Sequence, residues 1–217
     1  MQSLHKLLYG AVFFVWSILF GFWIHLQGLS VKDSDTHFLF NAGIAAFYAI
    51  GTLIGLLLVK VEKNRSKQLF FFSMTLSMLF SAIALALWSY YNIMLRIPSP
   101  YPSYADIFFL LYTVLLSVSF WYYFDLLQID LKINNLVESV FVILIAYVVM
   151  FFLLFKPDYD RTMSVFEIVV NHLYPLADAV ALSIAFVIIR TTGLRNFGIL
   201  FIFLSIVFLI AGDILFS

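Results

Sequence analysis

Three acids set in apolar surroundings are the residues of this chain that could do chemistry. Asp106 closes the stretch Tyr101-Pro102-Ser103-Tyr104-Ala105-Asp106 and opens an apolar run that reaches Phe124. Asp178 closes the near-copy Tyr174-Pro175-Leu176-Ala177-Asp178 and opens a run that ends at Arg190, while Asp213 sits inside the last apolar run. A carboxyl group taken out of water must find a donor, a cation or a proton, so such groups inside a membrane mark a site by default. Asp213 is the sharpest case. It lies near the C-terminal end of its run, where the helix dipole disfavours an acid, and it has no cap to make. His172, His25 and Arg96 are its candidate partners.

Asp106 and Asp178 also carry a purely structural reading. Ser103 with Asp106 fits a capping box, in which the acid returns to the N-cap backbone while the hydroxyl covers the first helical N–H groups. Glu138, just behind Asn134 and Asn135, reads as a first-turn acid by the same logic. Trp88 and Tyr91 read either as interfacial belt residues or as ligand contacts, and His25 and His37 as solvated residues at span ends.

The elements that must position these acids are membrane helices. Of 217 residues, 64% are hydrophobic and 11% charged, which leaves too little polar side chain to cover a water-facing surface. The mean hydropathy of +1.06 says the same. Several runs reach the roughly 20 residues that cross a hydrocarbon core, and their unbroken apolarity excludes barrel strands, which would alternate. The expected fold is all-α: a single polytopic bundle over residues 1–217 with seven spans. These are Leu7–Leu26, Phe38–Val59, Leu69–Tyr91, Tyr104–Phe124, Leu136–Phe155, Leu173–Ile189 and Phe197–Phe216. Gly51 and Gly55 give span two a small-xxx-small spacing, read chiefly as close packing inside the bundle and secondarily as a homodimer contact. Ser164-Val165-Phe166-Glu167 is a second capping box; it starts either a short interfacial helix or an extension of span six through Pro175.

Net charge is zero, so no basic field argues for nucleic acid, and without cysteine there is no disulfide framework or thiolate metal site. With the N-terminus cytoplasmic, Lys6, Lys60, Lys63, Arg65, Lys67, Lys132, Arg190 and Arg195 lie inside, against Lys32, Arg96, Lys156 and Arg161 outside. That excess fixes the expected orientation in a plasma (inner) membrane. Asp106, Asp178 and Asp213 then lie within about two turns of the outer boundary, as do His172, Trp88 and Tyr91, and the cytoplasmic half offers little beyond Glu138. The two Tyr-Pro…Ala-Asp copies, 73 residues apart, would enter from the same side as a parallel internal repeat of helix pairs around one pocket.

Taken together, Trp88-Ser89-Tyr90-Tyr91, the proline-rich link, Tyr101 to Tyr112, Tyr174 to Asp178 and Ala211-Gly212-Asp213 resemble one pattern. It is that of the multi-span N-terminal sensor regions of bacterial and archaeal signalling proteins, which precede a cytoplasmic GGDEF, EAL or histidine-kinase domain. The resemblance covers about Trp88 to the C-terminus. It implies an extracytoplasmic or membrane-borne input and an output domain as partner; the candidate ligand-binding residues, by their placement in the spans, are Asp106, Asp178, Asp213, His172, Tyr91, Trp88 and Tyr112. No output domain follows here, so the chain is expected to be the N-terminal part of a longer protein or a stand-alone relative.

The expected function is therefore a membrane-embedded sensor module without catalysis of its own, and no cofactor is indicated. An intramembrane metal-dependent hydrolase is the competing enzyme reading, but no His-Glu-x-x-His motif is present. A small transporter would want polar residues through the whole depth. Retinal binding would want a lysine in span seven.

Overall fold

The structure, a computed structural model, describes residues 35–97, 100–128, 132–154 and 163–192, with isolated helical positions at Ile18, Gly21 and His25. Spans one and seven, and with them Asp213, lie outside the described residues. The rest is helical throughout: α1 (Asp35–Val61), α2 (Arg65–Ser89), α3 (Tyr104–Leu126), α4 (Ile133–Leu154) and α5 (Val165–Thr192). These correspond to spans two to six, and each is long and apolar enough to cross a membrane. At about 1.5 Å per residue, α1 alone runs for about 40 Å.

Local sequence sets the ends. Glu62 Oε1 accepts from the backbone N–H of Lys63 and of Asn64, both at 2.9 Å, and Asn64 Oδ1 accepts from Lys67 N at 3.1 Å. One acid and one asparagine thus fold the tight α1–α2 turn and cap α2. At its far end α2 widens into a π-helical turn, Tyr90–Met94. The second capping box forms as its spacing predicts. Ser164 N donates to Glu167 Oε2 at 2.6 Å, and Glu167 N donates to Ser164 Oγ at 3.2 Å. Ser164→Ala should therefore raise amide exchange across the first turn of α5 several-fold without shifting exchange in α2, as read by hydrogen–deuterium exchange.

That box makes span six longer than the apolar run suggests. Of the two readings of Ser164–Glu167, the structure adopts the extension: α5 starts at Val165 rather than Leu173, and Pro175 lies inside it. A proline is tolerated there because neighbouring groups in a packed bundle can serve the carbonyl it leaves without a donor. The two Tyr-Pro…Ala-Asp copies consequently differ. Pro102 precedes the N-cap of α3, whereas Pro175 is the eleventh residue of α5. Only the first copy opens a helix.

The helices pack in the spatial order α1, α2, α3, α5, α4, so α3 lies against α5 rather than chiefly against its sequence neighbour α4. In lipid, association relies on close packing rather than on a hydrophobic drive, and small residues permit it. The buried side of α2 is accordingly Ser73, Thr75, Ser77, Ser81, Ala82, Ala84 and Ser89 around Leu85. Ser73, Thr75 and Ser89 return their hydroxyls to the carbonyls of Leu69, Phe71 and Leu85, while Ser77 reaches the Tyr112 carbonyl of α3 at 3.2 Å. Gly55 meets this side so closely that a Cβ would lie 2.2 Å from Thr75 Oγ1. The glycine spacing of span two is an α1–α2 contact inside the bundle. Between α3 and α5 the core is Leu116, Phe120 and Phe124 against Ala181, Ala185, Val187 and Ile188.

Candidate functional site

The described parts of the proline-rich link (residues 95–97 and 100–103), the π turn, the start of α3 and the first half of α5 meet at one end of the bundle. Ser103, in extended conformation, is the N-cap of α3. Its backbone N–H donates to Asp106 Oδ2 at 2.5 Å, its hydroxyl donates to the same oxygen at 3.0 Å, and Ala105 N donates to Ser103 Oγ at 3.2 Å. The other carboxyl oxygen turns away from the cap. Tyr174 of α5 donates its hydroxyl to Asp106 Oδ1 at 2.8 Å. Asp106, only 1% exposed, thus serves as cap and as joint between two helices. The structural and the functional readings of this acid describe its two oxygens.

A second tie lies beside the first. Tyr101, on the link, donates to Asn171 Oδ1, and Asn171 Nδ2 faces the sulfur of Met163 at 3.8 Å. Partial burial, then the nearby Asp106 and Glu167, push the Tyr101 hydroxyl well above the usual phenol range. It therefore stays protonated, and a donor, throughout the working pH range. Across the bundle, Asn92 of the π turn is buried, donates to the Ile97 carbonyl at 3.1 Å and accepts from Asn41 of α1 at 3.3 Å. The π turn places this amide where it holds the returning link, a use of π-helical geometry common at functional sites.

Asp178 is as buried as Asp106, at 1% exposed, and lies farther along its helix than the Tyr-Pro…Ala-Asp spacing implies. Thirteen residues separate it from Val165, which puts it about 20 Å along α5 rather than in the first turn of its helix. It lies one turn beyond Tyr174, and Asn171, Tyr174 and Asp178, spaced at i, i+3 and i+7, share one face of α5.

The other anticipated residues spread around this layer. Trp88 packs edge-on against Phe109, ring centroids 4.8 Å apart, and its buried indole Nε1 has no hydrogen-bond partner among the described residues. Tyr91 lines a cleft at the end of the bundle with Pro100, Pro102, Ser103, Tyr104 and Phe166. Tyr112 lies deeper and meets Tyr48 of α1 edge-on at 6.2 Å. His172 is on the other side of α5: its Nδ1 is 2.7 Å from the Tyr147 hydroxyl of α4, and its ring stacks on Phe151 at 5.1 Å. The structure brings Asp106 together with α5 and puts His172 in the α4–α5 interface. Glu138, expected in a first turn, is in the second turn of α4 and pairs with Arg190 at the opposite end.

Sequence reading missed Asn92, Tyr101, Asn171 and the Tyr174 hydroxyl. The signal for the last two was present in the face of α5 they share with Asp178, and it becomes visible only once the helix is started at Ser164. Among the described residues, no three His, Cys, Asp or Glu side chains gather in a way that could hold a metal ion.

Five long apolar helices and a buried polar layer at one end of them define a polytopic helical membrane protein. No protein-family model matches the chain, and no curated protein or solved structure matches it either.

Proposed function

We propose that this chain is the membrane-embedded input module of a signalling protein, with a polar site near the extracytoplasmic face. The observation that carries the reading is the hydrogen bond from Tyr174 to Asp106. A carboxyl group that caps α3 with one oxygen and holds α5 with the other is a joint with two states. A ligand, cation or proton that engages Asp106 competes with Tyr174, and release of Tyr174 frees α5 from the head of α3. Such an input shifts the packing only through a difference in affinity between the two arrangements. Asp178, one turn deeper on the same face, is the second acid through which α5 would sense the change.

The orientation belongs to the same proposal. The turn bearing Lys60, Lys63, Arg65 and Lys67 is cytoplasmic in a prokaryotic inner membrane, which puts the Asp106 end outside and the N-terminus inside. Output passes to a cytoplasmic domain, and pairing of two copies is a further part of the proposal.

The test joins a diguanylate cyclase domain in frame to the cytoplasmic N-terminus of the whole chain and measures cyclic dinucleotide in cells. Tyr174→Phe and Asp178→Asn should each change steady output several-fold at equal membrane abundance. Output indistinguishable from wild type in both variants would remove the joint from signalling and leave a structural bundle.

A further inference from the structure

The cleft at the Asp106 end has a lining of one kind. Its volume is about 350 Å³, at the small end of the range for ligand sites, and it is bounded by Tyr91, Pro100, Pro102, Ser103, Tyr104 and Phe166. The three rings come from three elements: the π turn, the first residue of α3 and the first turn of α5. Two prolines stiffen the wall between them. Tyr104 remains 73% exposed and Phe166 47%, so these rings are not consumed by packing. Among the described residues no lysine or arginine lines the cleft, and the Ser103 backbone N–H is already given to Asp106. An anion would therefore find only the phenol hydroxyls of Tyr91 and Tyr104 and no cation, whereas the faces of three aromatic rings suit an organic cation.

The surroundings share the sign of those faces. Asp106 lies directly behind Ser103, and Glu167 follows Phe166 in the chain; both press on Tyr101 beside the cleft. Among the described residues this end of the bundle carries Asp106 and Glu167 against Arg96. Aromatic faces with negative charge behind them attract organic cations, and most strongly those whose methyl groups spread the charge over several rings.

We propose that the Tyr91–Tyr104–Phe166 cleft binds a quaternary or alkylammonium group. The group is either the head of a zwitterionic lipid or a free solute, since the chemistry is shared. This deepens the input reading by naming the ligand class, and rests on it only for the claim that binding matters to output.

The experiment places the full chain in nanodiscs of phosphatidylglycerol, which has no amine head, and titrates radiolabelled choline chloride at fixed ionic strength. Saturable binding is expected, weakened about tenfold by Tyr104→Ala and by Tyr91→Ala and largely retained by Tyr104→Phe. Tyr104 is exposed enough that its variants fold, which keeps the test informative if Tyr91→Ala does not. The titration is then repeated in phosphatidylcholine. Unchanged affinity assigns the site to a free cation, and an apparent affinity tenfold weaker assigns it to the lipid head; either supports the ammonium class. Absence of saturable binding in phosphatidylglycerol, or equal binding by wild type and Tyr104→Ala, overturns the proposal and leaves the rings as interfacial anchors. If choline binding fails while Tyr174→Phe still alters cyclase output, the cation is wrong and the input module stands.

Discussion

Gly55→Leu should destabilise the bundle by about 3 kcal/mol, while the same change at Gly43 should cost close to nothing. The two positions lie on one helix and differ in what a side chain would meet. At Gly43 no heavy atom lies within 4 Å of a built Cβ; at Gly55 Thr75 Oγ1 is at 2.2 Å, with Thr75 Cβ and Cγ2 both at 3.1 Å. Thr75 cannot simply swing away. Its hydroxyl is bonded to the Phe71 carbonyl at 2.6 Å, and the branch at Cβ puts a methyl where the oxygen was. α1 must therefore back off α2, and contacts along the whole small-residue side weaken together. Gly51 provides the intermediate case, because its nearest neighbour is the flexible Met78 sulfur at 3.0 Å. Unfolding of the full chain from mixed micelles, titrated with dodecyl sulfate, orders the three sites. Thr75→Ala should recover part of the loss in a Gly55→Ala background. Equal stability of the Gly43 and Gly55 variants would show that α1 does not rest on α2 in this register.

What could be read from the sequence was what depends on near neighbours. The Ser103–Asp106 and Ser164–Glu167 boxes are three-residue spacings, and both form. The five described spans follow from apolar runs, and Gly51 and Gly55 follow from spacing. Two things were not legible. The position of Asp178 along its helix was one, because Pro175 reads as an entrance by the rules of soluble helices, whereas a packed membrane helix carries it in its interior. Partners across helices were invisible as well. Nothing in the residues around Tyr174 shows that its hydroxyl meets an acid on α3, since α3 packs on α5 while its chain neighbour is α4. His172 shows the converse. Its position near the Asp178 motif suggests a shared pocket, but a rotation of about 100° per residue turns it toward Tyr147 and Phe151.

Asp106→Ala should cost about 3–5 kcal/mol, and the route by which it does so decides whether the Asp106–Tyr174 pair is a joint. The substitution removes the acceptor for three donors at once: the Ser103 N–H, the Ser103 hydroxyl and the Tyr174 hydroxyl. Loss of the cap accounts for about 1 kcal/mol, and each buried donor left without an acceptor for about 1–3 kcal/mol. Two milder variants separate these parts. Tyr174→Phe deletes the interhelical donor and spares the cap, so its cost should be about 1–2 kcal/mol. Asp106→Asn keeps the shape: with its oxygen on Ser103, its NH₂ donates to the Tyr174 hydroxyl oxygen, so its cost should be small. In the Asp106→Ala background the Tyr174 hydroxyl has already lost this acceptor, and Tyr174→Phe there removes a stranded donor rather than a bond. The double variant should therefore be more stable than the sum of the singles by at least 1 kcal/mol, a coupling that distant sites do not show. The same four proteins, fused to the cyclase domain, should show coupled output as well. Additivity within about 0.5 kcal/mol would mean that the contact carries no energy, and the cap alone would then explain why an acid stands at this position.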